Sequence, residues 1–97
     1  MEFNLIANPW KFADIAELMG EDIKGVCIMD AALKSVVAVK RLMKDLGMPL
    51  TLKEVGVKRD DIQFFMDDYK NILPAMQAMN PRDMSEDELR LLLERAL

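Results

Sequence analysis

One thiol, Cys27, and three runs of adjacent carboxylates, Asp60-Asp61, Asp67-Asp68 and Glu86-Asp87-Glu88, are the side chains of this 97-residue chain best suited to do chemistry. A nucleophilic thiolate needs a base beside it, and no candidate stands at helical spacing from Cys27. On its own, a cysteine within an apolar helical stretch reads as a small buried thiol. The carboxylate runs could hold a hard cation. Adjacent residues on a helix diverge in direction, however, so neighbouring acids seldom share one ligand. Acids near helix starts are better explained by the helix dipole. No calcium-loop spacing is present.

Histidine is absent altogether. The commonest general base and the commonest nitrogen ligand for transition metals are therefore missing. Gly20 and Gly25 have the glycine spacing of a phosphate-binding loop. Val26 and Cys27 stand where that motif demands Lys and then Ser or Thr, so it fails. No dinucleotide-binding glycine fingerprint occurs, and no strand is expected to carry one. The residues alone thus yield no catalytic, cofactor-binding or metal site.

These groups must be positioned by helices. Asn8 followed by Pro9 reads as an N-cap with proline in the first turn. The helix it opens carries Phe12, Ile15, Ala16 and Met19 on one face and stops at Gly20. Residues 1–7 hold Phe3, Leu5 and Ile6 without a starting cap, as the tail of an earlier element would. The spacing predicts a long helix from about Ile23 to Leu46, apolar over most of its surface and so buried on most sides. Lys44 suits its C-terminal dipole, and Gly47 with Pro49 ends it. Thr51 and Glu54 match a capping box for a turn or so of helix. A further helix is predicted from about Arg59 to Ile72, with Ile62, Phe65, Met66, Tyr69, Ile72 and Leu73 as its stripe. Pro74 is then expected to open a short turn over Ala75 to Ala78. Ser85 and Glu88 form a second capping box ahead of Leu89, Leu92, Leu93 and Ala96. No segment alternates long enough for a strand. The fold class is all-α, one compact multi-helix bundle over residues 1–97.

Composition narrows the partners. Thirteen basic residues against seventeen acidic ones give a net charge of −4. That balance repels phosphate backbones, and no basic stripe with interleaved aromatics reverses it, so nucleic acid is not expected. No stretch reaches the ~20 apolar residues of a membrane span, and the start is not that of a signal peptide. A lone cysteine suits a reducing cytoplasm. The nine methionines are expected mainly as core filler rather than as an adaptable groove. Trp10 and Tyr69 are read as boundary packing.

The order of motifs says more. Phe3-Asn4 leading into Asn8-Pro9 and the run Lys11 to Gly20, then Leu46-Gly47-Met48-Pro49, Leu52 to Val57 and Asp60-Asp61-Ile62, and finally Asn80-Pro81-Arg82 before an acid-capped leucine-rich helix, resemble the iron-dependent alcohol dehydrogenase family. The resemblance covers essentially the whole chain, and only the C-terminal part of that family. It implies an enzyme several times longer, in which an α/β domain binding NAD or NADP precedes an all-helical one. The divalent metal, usually iron, is held there by an aspartate and three histidines upstream of the matched region, so no metal ligand is carried over to this chain. The loop before Asn-Pro-Arg approaches the family's substrate cleft, which implies a cleft-wall position for Met76 and Met79. Asn80 and Arg82 are read as capping and anchoring the last helix.

Two functions follow as expectations. One is the C-terminal helical part of an alcohol dehydrogenase-like oxidoreductase, not catalytic as this chain alone. The other is a stand-alone helical module for oligomerisation or interaction. Either way, apolar helix faces left uncovered predict a homo-oligomer, with Phe3, Leu5 and the long helix near the contact.

Overall fold

A computed structural model describes all 97 residues except the side chains of Leu73, Pro74, Met76 and Gln77. It contains four α-helices: α1 (Pro9–Leu18), α2 (Ile28–Asp45), α3 (Asp61–Gln77) and α4 (Glu86–Ala96). Short 3-10 helices cover Glu2–Ala7 and Lys53–Val55. There is no strand among the described residues, as expected of an all-α chain. The chain divides into two compact units, Met1–Met48 and Pro49–Leu97.

In the first unit, α1 starts where its sequence says it should. The Asn8 side chain accepts a hydrogen bond from the Lys11 N–H at 3.3 Å, with Pro9 in the first turn. It ends in a Schellman motif: the Glu21 N–H reaches back to the Ala16 carbonyl at 3.0 Å, across Gly20 in the left-handed region at φ 88°. The same device closes α2, where the Met48 N–H bonds to the Met43 carbonyl at 2.9 Å over Gly47.

The start of α2 differs from expectation by five residues. It begins at Ile28 rather than near Ile23. Asp22 explains this, because its carboxylate accepts the Lys24 N–H at 3.0 Å and closes an Asx turn that competes with a helix. Gly25, at φ 69°, then carries the chain through a left-handed step. Arg41 and Lys34 hold this loop from α2, the first pairing Glu21 at 2.9 Å and the second donating to the Asp22 carbonyl.

Nor is α2 buried on most sides within its unit. Ala31, Ala32, Ser35, Val36 and Ala38 are buried, while Met29, Leu33, Val37 and Leu42 are exposed. The core gathers Leu5 from the first 3-10 helix with Ala32 and Val36, and Phe12 of α1 packs against it. Residues 1–7 therefore form a helical turn with a core anchor. Ser35 is fully buried and satisfies its hydroxyl on the Ala32 carbonyl at 2.7 Å. On α1 the buried residues are Ala13 and Ala16. The buried positions of this helix pair are thus nearly all alanine or serine, which lets the two backbones approach closely.

In the second unit the Thr51–Glu54 box forms with a shifted partner. The Glu54 N–H donates to Thr51 Oγ1 at 3.3 Å, and the Glu54 carboxylate takes the Leu50 N–H at 3.2 Å instead of that of Thr51. The Leu52 N–H ties this segment to the Ala96 carbonyl at the end of α4, at 2.7 Å. Asp61, the first residue of α3, accepts the Lys58 N–H of the approaching chain at 2.8 Å. Contrary to the expected break, α3 continues past Pro74 to Gln77 as one helix.

Among the described residues, Ile62 and Met66, one turn apart on α3, are the buried ones of this unit. Phe65 and Ile72 of the expected stripe are exposed, and the side chain of Leu73 lies outside the described residues. Polar rungs connect α3 and its approach to α4: Arg59 with Glu94 at 3.9 Å, Gln63 with Arg90 at 2.9 Å, and Lys70 with Glu86 at 3.7 Å. As one partner's number rises the other's falls, so the two helices run antiparallel. Exposed pairs of this kind contribute at most about 1 kcal/mol each; they set register more than stability.

Candidate functional site

Of the two residues expected on a loop, Met76 falls in the last turn of α3, and Met79 alone lies between α3 and α4. Met79 stands in the turn after α3 with 81% of its surface exposed. Met76 lies outside the residues whose side chains the structure describes. After them the chain is tightly held. Asn80 Nδ2 donates to the Arg82 carbonyl. Arg82 Nη2 meets Glu88 Oε1 at 2.9 Å, a charge-assisted bond from the entry segment onto the first turn of α4. Ser85 completes the reciprocal capping box. Its hydroxyl accepts the Glu88 N–H at 3.2 Å, and its own N–H donates to Glu88 Oε2 at 3.0 Å.

Glu88 is therefore the hub of this segment. The Ser85 N–H holds its carboxyl below the ordinary carboxylate range; slight desolvation opposes this, and the Ser85 hydroxyl and Arg82 guanidinium add to the lowering. A carboxyl stabilised in its charged form is an anchor and a poor proton donor near neutral pH. Since its folded pKa is depressed, the stability it adds is fully present above its unfolded pKa and fades as pH falls through the folded one. Ser85→Ala is expected to destabilise the protein by about 1 kcal/mol. Urea unfolding should show that loss, with a smaller penalty in acid than at neutral pH because Glu88 is then being neutralised in both proteins.

The other sequence candidates disperse. Cys27 is not the buried helical thiol expected: it sits at the N-cap of α2 and is exposed, because the helix starts late. Asp67 accepts from Gln63 Nε2 at 3.0 Å, Asp61 accepts the Lys58 N–H and Glu86 pairs with Lys70. These acids are engaged singly with different partners, and no group of three His, Cys, Asp or Glu side chains able to hold a metal occurs among the described residues. The donor set here does not fit an iron site. The methionines also depart from core filling: Met66 is buried, but Met1, Met29, Met48 and Met79 are exposed. Trp10, expected at a boundary, is two-thirds exposed.

Sequence reasoning did not pair Arg82 with Glu88, although an arginine three residues ahead of a capping box was its available signal. What the segment does chemically is positional. It sets the exit of α3 and the entry of α4, and holds the turn bearing Met79 between them. No helix of the described residues is long and apolar enough to cross a membrane.

Comparison with known proteins gives this geometry its setting. The family model described as "Fe-containing alcohol dehydrogenase family, C-terminal" matches residues 1–97. The 1,3-propanediol dehydrogenase of Klebsiella pneumoniae is 43% identical over 94 residues, covering 97% of this chain and 24% of that protein. The NAD-dependent methanol dehydrogenase of Bacillus methanolicus is 36% identical over 96 residues, covering 98% of this chain and again 24% of the relative. Among solved structures, a 1,3-propanediol oxidoreductase superposes with a TM-score of 0.86 at 43% identity, over 99% of this chain and 25% of that one. An alcohol dehydrogenase from Oenococcus oeni gives the same TM-score at 33% identity, with 24% of its chain covered. The chain spans about a quarter of the length of the relatives it matches. With the family model matched over all 97 residues and these helical structures superposing on nearly all of it, the chain belongs to the Fe-containing alcohol dehydrogenase family, as its C-terminal helical part.

Proposed function

We propose that these 97 residues serve, within a family-length enzyme, as the helical support and part of the cleft wall for reversible oxidation of a primary alcohol to an aldehyde. The observation that carries this reading is the unbroken match to the C-terminal family model over residues 1–97. Relatives named for 1,3-propanediol, methanol, sulfoacetaldehyde and lactaldehyde share a terminal alcohol or aldehyde carbon. A small substrate bearing that group is the class proposed. NAD or NADP would accept the hydride and a divalent metal, iron by family, would polarise the substrate oxygen. Both would be held outside this segment, whose donors do not suit a metal. The part this chain plays is to place the end of α3 and the turn bearing Met79 through the Arg82–Glu88–Ser85 anchor. An exposed Cys27 without a second cysteine fits a reducing compartment, and we assign the cytoplasm on that ground.

A hybrid tests this. Residues 1–97 replace the matched quarter of the Klebsiella 1,3-propanediol dehydrogenase, and the 97-residue chain serves as control. The hybrid is expected to reduce NAD with a primary alcohol as substrate, and the control to show no metal-stimulated NAD reduction. A hybrid that folds and holds metal and NAD but oxidises no primary alcohol overturns the reading, as does activity of the control.

A second reading, a helical module for self-association, draws support from the apolar side chains α2 leaves exposed, Met29, Leu33, Val37 and Leu42. Phe3 is half-buried, and Leu5 belongs to the core rather than to any such contact. The isolated chain is expected to sediment as a dimer or larger species, and Leu33→Lys to lower its mass toward that of a monomer. A monomer that leaves apolar dyes unbound would dismiss this reading.

A further inference from the structure

We draw no further inference here: the strongest candidate, the shallow apolar depression that Pro49, Leu50, Leu52 and Val55 form beside Ala96 at the end of α4, carries nothing because nothing in the structure shows what covers it.

Discussion

Leu5→Ala is expected to destabilise the protein by about 2–5 kcal/mol, a large share of the roughly 5–15 kcal/mol that holds a domain of this size together. Leu5 is 2% exposed and is the largest side chain in the first unit's core cluster. Its neighbours there, Ala32 and Val36, are too short to close the gap, and Phe12 is only partly buried. A cavity would remain, and the loss would exceed the transfer energy of the missing methyls. The measurement is a denaturant or thermal unfolding curve beside that of the unaltered chain. Ile6→Ala is the control, since Ile6 is 64% exposed in the same turn and should change stability by less than about 0.5 kcal/mol. Equal effects at the two positions would show that the first turn is not anchored through Leu5.

The second large effect is expected at α3. Ile62→Ala should also cost about 2–5 kcal/mol. Ile62 and Met66 are each 3% exposed, whereas no α4 residue is fully buried. Among the described residues the second unit thus has few deeply covered side chains, and removing one takes away a large fraction of their apolar cover. Phe64→Ala, at a position 70% exposed, should be nearly neutral despite deleting a larger side chain. Hydrogen exchange offers an independent readout. The amides of α3 and α4 should exchange faster in Ile62→Ala and at native rates in Phe64→Ala. Protection unchanged by Ile62→Ala would place the stabilising contacts elsewhere.

What the sequence disclosed was mostly local chemistry. Asn8-Pro9, Gly20, Gly47 and the Ser85–Glu88 box act within four or five residues of themselves, so their roles could be read without knowing any neighbour in space. The all-α class followed from helical apolar spacing and the lack of any alternating stretch. The start of α2 was missed because apolar periodicity ran through Ile23 and Val26, while the deciding interaction was the Asp22 carboxylate folding onto the Lys24 N–H. The end of α3 was missed in the opposite direction. Proline in a helix interior removes one donor and crowds the preceding turn, yet α3 continues through it.

The burial of α2 was misjudged for another reason. Periodicity weights large side chains, and here the buried face carries alanines while Leu33 and Val37 look outward. Met76 and Met79 were named only from the order of family motifs. Nothing in the composition of Met76 to Met79 marks a cleft, and the Arg82–Glu88 bond depends on how the chain turns into α4.

The alanine-lined contact between α1 and α2 sets a ceiling on bulk at Ala16 and Ala32, both with no exposed surface. Hydrophobicity is not what those positions select; a leucine would satisfy that and still force the helix axes apart. Serine, little larger and already accommodated at Ser35, is the type of change the seam admits. Drift at these positions should accordingly be tight in volume, with a polar atom admitted only where, as at Ser35, a backbone carbonyl takes its hydrogen bond. Relatives would then keep the spacing of the two helices long after their outward faces have diverged.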